Sequence, residues 1–394
     1  MLYRLLFVVF LTLYSVSLHA LHLDIALFYS RDVTEVEFSS VSGEYRLKGD
    51  YDHLGIHRAG AVFKAVAIKN RIHIYKNDSL LGNYRAMAFR GESFMNSFRI
   101  DPKLLDIDPR IYDNDLKLIA QKGKLQIINH VELELYVAGV VQAEGGGSSK
   151  DVEFYQVQAI TCRTYALNNH RKHLHEGFHL CDGVHCQVYK GKAVNSNILL
   201  ATMRTSGEVI TDNEQQMISA SFHSNCGGQT MNSEQVWSIA TPYLKSLRDT
   251  FCQTMPNAKW LKRMPQNEWL DYLKEKFSYD ISGQGALDAV LAFQQNERKE
   301  FLAHHIPLKT IRSDLNMRST FFEISVDGND VVFEGRGYGH GVGLCQEGAI
   351  KMAELGYSYT DIIHYYYQNV DIVNYHNLPY LIEEFRSQKN HSSF

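Results

Sequence analysis

Between Gly335 and Gly343 every second residue is glycine, in the run Gly-Arg-Gly-Tyr-Gly-His-Gly-Val-Gly. Successive side chains of an extended chain point to opposite faces. Read as a strand, this run has one face of bare backbone, and the other carries Arg336, Tyr338, His340 and Val342. Glycine weakens a strand because it costs entropy and offers nothing to pack, so five in alternation are expected where something approaches the backbone closely. A long polymeric ligand or the wall of a cleft satisfies that condition. A tightly packed β-turn region without any ligand satisfies it too.

The 394-residue chain is 45% hydrophobic with a net charge of −4. That is ample for a large core and unlike either a disordered or a nucleic-acid-binding protein. Residues 1–20 have one arginine, Arg4, then an apolar run from Leu5 to Val16 and a small residue, Ala20, before the polarity changes. This order describes a secretory signal peptide cleaved after Ala20, so the expected location is outside the cytoplasm, in a periplasm or cell-wall space. Leu18 is large for the position it holds before that site, and an uncleaved leader would instead leave a membrane anchor. Six cysteines are too few for a disulfide scaffold in a chain this long, which makes their clustering more informative than their number.

The expected class is α+β. Residues 21–120 read as β-rich, a series of short alternating runs such as Val62–Lys69 and Arg71–Tyr75 broken by Asn, Gly and Asp. A mixed α/β core follows over 121–375, with a soft boundary near 120 and a short tail at 376–394. Strand-like Lys124–His130 leads into a segment ending at Glu144 that is helical in its later half. Ser148 and Asp151 have the spacing of a capping box, so a second helix begins there, with Phe154, Val157, Ile160 and Leu167 on one broad side. Residues 253–310 read as an α-helical insertion. Strands return at Phe321–Val326 and Val331–Phe333, the latter feeding the glycine run, and a helix is expected over Gln346–Leu355.

Three stretches carry chemistry. His175, His179, Cys181, His185 and Cys186 fall within twelve residues. Zinc takes four nitrogen and sulfur donors in a tetrahedron, and His175, Cys181, His185 and Cys186 make one complete structural set with His179 to spare. The alternative is a Cys181–Cys186 disulfide with surface histidines beside it. Glu144 sits at a helix end before Gly145-Gly-Gly, unshielded on one side; a carboxyl in a partly apolar cleft can act as a general acid, although a glutamate at a helix end can equally be a solvated charge. His223 and Cys226 offer either a thiol with its base or a buried inert cysteine.

The segments Val131–Glu144, Gln158–Leu167, Leu180–Tyr189, Phe222–Gly228 and Gly335–Ala349, in this order, resemble the SpoIID/LytB family over roughly residues 120 to 370. The resemblance implies a peptidoglycan lytic transglycosylase that acts on glycan strands whose stem peptides have been removed, alongside an N-acetylmuramoyl-L-alanine amidase. It makes Glu144 the catalytic glutamate and maps the family's zinc pattern onto His175, Cys181, His185 and Cys186. Such chemistry needs a single carboxyl: it protonates the bridge oxygen and later takes the proton from the sugar's own C6 hydroxyl, closing a 1,6-anhydro ring. Within this reading Arg336, Tyr338 and His340 are candidate substrate contacts on a glycine floor, and Tyr165 and His223 are candidates for the opposite wall. Two departures stand out. Gly145-Gly-Gly replaces a Met-Pro pair and is expected to loosen the loop, and Cys226 and Cys345 stand where serine is common. Two rival functions are a non-catalytic, glycan-binding enhancer of an amidase, and a zinc hydrolase; the hydrolase would need an open metal position and so only three protein ligands.

Overall fold

The computed structural model describes residues 21–389 apart from positions 94, 148 and 150, and is α+β as expected. The expected leader and Ser148 therefore lie outside the described residues. No helix among the described residues is long and apolar enough to cross a membrane.

The alternating runs of the first third form two sheets. One has seven strands and contains His22–Leu27, Lys124–Glu132, Asp115–Gln121, Ala86–Gly91 and Tyr45–Gly49; the other has six, centred on Glu35–Ser42, Val62–Ile68 and Arg71–Lys76. Alternation places one side of most of these strands inward, and the two inner faces meet through aromatics. Phe38 lies 5.4 Å from Phe63 on its own sheet and 5.3 Å from Phe89 on the other, and Phe89 stacks on Tyr45 at 4.1 Å. Such contacts contribute beyond the area they bury.

Strand Lys124–Glu132 runs without a break into helix Leu133–Gly145, so sandwich and core share one apolar cluster that extends from Leu23 to Leu381. Helix Val152–Asn168 begins at Asp151, whose carboxylate accepts from the Glu153 N–H. Phe154, Val157, Ile160 and Leu167 are all buried, but the helix is not one-sided: Gln158, Thr161, Arg163 and Thr164 are buried as well. It is the central post of the core. Arg163 is fully enclosed and survives there because its guanidinium donates to Glu134 at 2.5 Å and to the carbonyls of Glu208 and Thr202.

Residues 253–310 differ from the helical expectation. Helices Gln266–Phe277, Ala286–Leu291 and Leu308–Asp314 are present, but strand Lys259–Pro265 precedes them and pairs with Asp330–Arg336, which in turn pairs with Phe322–Asp327. Along Lys259–Pro265 the half-buried positions are Trp260, Lys262 and Met264, alternating with exposed ones, so its inner face includes a lysine and hides the period in the sequence. This lobe has its own core around Trp269, Leu273, Phe322 and Phe333. Within the tail, Pro379–Lys389 is a helix that buries Leu381 and stacks Phe385 on His170 at 4.5 Å.

The glycine run is not a strand with a bare face. Ladder pairing ends at Arg336, and Gly337, Gly339, Gly341 and Gly343 all have positive φ, between +71° and +115°. A Cβ on Gly337 would lie 2.5 Å from the Asn225 carbonyl oxygen, one on Gly339 2.8 Å from His223 Cβ, and one on Gly343 2.2 Å from the Ser221 carbonyl oxygen. The close neighbour of these three is therefore segment 221–228 of the protein itself, while Gly335 and Gly341 face Trp260 and Arg298. The Asn225 and Tyr338 backbones exchange hydrogen bonds, and Phe222–His223 pairs with Leu344–Cys345. The glycine run is a packing seam, and the sugar-floor expectation is withdrawn.

Candidate active site and metal-binding loop

Glu144 occupies the last turn of helix Leu133–Gly145, at the negative end of the helix dipole. Its side chain is half-buried. Burial raises its pKa above the ordinary glutamate range, opposed by the Val188 N–H, which donates to Oε1 at 3.0 Å, and by the charge of Lys190. Around it the core is polar and buried. Its charge reaches Cys162, whose thiol accepts from Gln158 Nε2, and Gln346 Nε2 donates to Gln158 Oε1. The glycines after Glu144 are tethered more than their composition implies: the Gly147 N–H donates to the Tyr155 hydroxyl, which donates to the Ser149 carbonyl at 2.6 Å.

The segment that presents Val188 to Glu144 also carries the candidate metal donors. Leu180–Cys181 adds in parallel to the edge of the seven-stranded sheet beside Ile25 and Ala26, and the Asp182 carboxylate accepts from the Phe28 and Tyr29 N–H groups. With the loop root fixed in this way, the donor atoms of His173, Cys181, His185 and Cys186 lie within 4.8 Å of one another. The histidine at the fourth position is a correction to the expected set. His175 points outward with 76% of its side chain exposed, whereas His173 is buried with Nε2 3.5 Å from Cys186 Sγ. The short 3-10 turn Leu174–Glu176 decides between them, because two residues of turn rotate a side chain from the loop interior to solvent.

Further contacts fit metal binding. His173 Nδ1 is 2.6 Å from Glu176 Oε1, a carboxylate that also accepts from the Tyr29 hydroxyl, so the ring is oriented with Nε2 toward the sulfurs as in carboxylate–histidine–zinc arrangements. Within this pair the hydrogen bond between the two sulfurs pushes Cys181 down and Cys186 up, so the pair holds one thiolate charge, placed on Cys181 with help from the Gly183 N–H and His185. His179, the spare, uses Nδ1 to accept from the Asp24 N–H. Two sulfurs and two imidazole nitrogens are the donor set of a closed zinc site. Substituting His173 with alanine is expected to abolish zinc retention at this loop and lower Tm, while His175→Ala leaves both unchanged; metal analysis with a thermal melt of each variant checks it.

The remaining candidates separate into two groups. Arg336 is structural: it stacks on Phe321 at 3.8 Å and donates to the Gln295 carbonyl and to Glu323. His223 is buried, with Nδ1 3.1 Å from the Val342 carbonyl oxygen, and Tyr165 lies beside the metal-loop sulfurs, its pKa pushed up to about 12 by burial and by Cys186 and Cys181. Tyr338, by contrast, is 46% exposed. His340 donates from Nε2 to the Phe222 carbonyl, and Trp237 lies 5.2 Å from its ring. His340 also lines a shallow cavity of about 30 Å³ with Arg312, Lys309 and Gln235. Glu144 is not among the residues that line it.

Sequence reasoning missed His173, and also Asp249 and Cys252, which meet Cys226 and Cys345 in a second buried cluster. A His-x7-Cys-x3-His-Cys reading would have admitted His173. Nothing local marks Asp249 or Cys252.

Residues 121–211 match the family described as "SpoIID: Stage II sporulation protein". The chain is similar to stage II sporulation protein D of Bacillus amyloliquefaciens, 30% identical over 284 residues that span 67% of this chain and 81% of that one. It is 31% identical over 268 residues to the protein of the same name from Bacillus subtilis (strain 168), across 63% of this chain and 76% of the relative. It is also 25% identical over 281 residues to the protein named amidase enhancer from Bacillus subtilis (strain 168), across 58% of this chain but 39% of that protein. By this family match and these relatives, the chain belongs to the SpoIID/LytB family.

Proposed function

We propose that this protein is an exported lytic transglycosylase of the cell wall, cleaving peptide-free glycan strands between N-acetylmuramic acid and N-acetylglucosamine with Glu144 as its acid and base. The observation that carries the reading is the state of Glu144: half-buried, at a helix C-terminus, raised in pKa, and oriented by a backbone N–H from the metal loop. A carboxyl so placed stays protonated to higher pH than a solvated one and can donate to the bridge oxygen. Once it is ionised, the same group can take the proton from the C6 hydroxyl, and ring closure by an internal nucleophile gains several powers of ten from proximity.

His173, Cys181, His185 and Cys186 would hold one zinc. Its part is structural, since four protein donors close the tetrahedron. Val188 lies two residues beyond Cys186, so ordering the loop orders the N–H that holds Glu144. Tyr338 and Trp237, 46% and 43% exposed, offer aromatic faces for sugar rings near His340.

The relative named amidase enhancer favours a second reading, in which the protein binds glycan and recruits an amidase without cutting. Mass spectrometry of denuded glycan strands incubated with the full chain separates the two. Products ending in 1,6-anhydro sugars are expected. Strands that are bound and uncut, with a partner amidase accelerated, would establish the enhancer instead.

A further inference from the structure

The second cluster joins the central helix through Gln346, the residue after Cys345, whose Nε2 donates to Gln158 Oε1. Cys226, Asp249, Cys252 and Cys345 are each 0% exposed, and their donor atoms lie within 4.8 Å of one another. Cys226 Sγ is 3.3 Å from Cys252 Sγ and 3.2 Å from Asp249 Oδ2. These positions come from three separate parts of the chain. Cys226 precedes the left-handed glycines Gly227 and Gly228, Asp249 and Cys252 are joined by the 3-10 turn Phe251–Thr254, and Cys345 caps helix Gln346–Glu354.

We propose that Cys226, Asp249, Cys252 and Cys345 form a second, closed zinc site. Three sulfurs and one carboxylate oxygen complete a tetrahedron, and Zn–S bonds of about 2.3 Å with a Zn–O bond of about 2.0 Å set donor–donor edges of roughly 3.5 to 3.8 Å, inside the observed spread. Backbone donors face the cluster: Cys345 Sγ accepts from the N–H groups of Cys226 at 3.2 Å and Gly348 at 3.4 Å. Three thiolates and a carboxylate around Zn²⁺ carry a net charge of −2. Arg298, buried, with its guanidinium 2.6 Å from the Cys226 carbonyl oxygen, offsets one of these. The Asp249 carboxyl also accepts from the Tyr366 hydroxyl at 2.9 Å and the Phe251 N–H, which fixes its direction as the outer contacts of a metal ligand do.

The site also has a structural purpose that a lone buried thiol lacks. The inserted lobe leaves the core just after Cys252 and returns through the glycine seam just before Cys345. A metal bridging both to Cys226 staples the neck of that lobe, and because no such site preforms in the unfolded chain its binding energy becomes folding energy.

Zinc counting on the purified full chain, without chelator, is the test. Cys252→Ser is expected to lose one zinc per chain, a component that His173→Ala leaves in place, and Asp249→Cys is expected to keep it. Should Cys252→Ser not fold, the wild type still decides: reconstitution with Co²⁺ is expected to give thiolate charge-transfer intensity for three sulfurs beyond the two of the loop site. A wild type whose zinc is removed wholly by His173→Ala, cobalt intensity for two sulfurs, or a disulfide joining any two of Cys226, Cys252 and Cys345 in peptide maps overturns it. No zinc at the loop with one zinc removed by Cys252→Ser would retain this site and count against the loop alone.

Discussion

Replacing Glu144 with glutamine is expected to leave fold, zinc content and glycan binding near those of the wild type while lowering cleavage about a thousandfold or more, since general acid–base catalysis contributes 10²–10⁴-fold and one group here serves both steps. The amide is isosteric and can still meet the Val188 N–H through its oxygen, so the hydrogen bond at Oε1 survives and only the transferable proton is lost. The pH dependence has a definite sign. Burial raises the Glu144 pKa, so the acid form persists above the ordinary glutamate range, and the protonation step weakens as pH climbs through that raised value. Lys190 acts in the opposite direction, so Lys190→Ala should move this falling limb to higher pH without changing the products. Initial rates on denuded strands across pH for the wild type and both variants are the measurement. Turnover by Glu144→Gln within a few-fold of wild type would remove the glutamate from the chemistry and transfer the argument to the enhancer reading.

How much of this was legible beforehand depended on how local the determining physics is. Period-two burial in Glu35–Ser42 and Val62–Ile68, and the run from strand Lys124–Glu132 into a helix ending near Glu144, are set by neighbouring residues and could be read directly. Strand Lys259–Pro265 could not, because Lys262 sits on its half-buried face and donates to the Leu315 carbonyl there. His173 displaced His175 through the path of one short turn, a choice that donor spacing does not encode. Cys226, Asp249, Cys252 and Cys345 meet only through tertiary contacts between segments far apart in the chain, so a resemblance that flagged Cys226 and Cys345 as unusual had no means of supplying the other two. The glycine run was ambiguous for a related reason: alternation says that something approaches the backbone without saying whether it is ligand or protein.

Because it is protein, substitution of the seam should act on folding first. Gly337 has φ +79°, and a Cβ there would stand 2.5 Å from the Asn225 carbonyl oxygen, 2.7 Å from the Gly227 nitrogen and 2.9 Å from the Cys226 carbonyl carbon, all backbone atoms with no rotamer to yield. A left-handed alanine costs about 1–2 kcal/mol and forced overpacking about 1–3 kcal/mol more. Gly337→Ala is therefore expected to lose about 2–5 kcal/mol, a large share of a typical stability of about 5–15 kcal/mol. Gly328 supplies the control: it has φ +62° in the hairpin turn between Phe322–Asp327 and Asp330–Arg336, and nothing stands within 4 Å of its added Cβ, so Gly328→Ala should show the backbone cost alone, about 1–2 kcal/mol. Urea unfolding of the two variants beside wild type gives the comparison. Equal losses would mean that segment 221–228 can move aside, and the glycine face would again be available to a ligand. A larger loss at Gly337, with glycan binding of the fraction still folded unchanged, would identify the seam as the joint that holds Asn225, Cys226 and the neck of the inserted lobe in register.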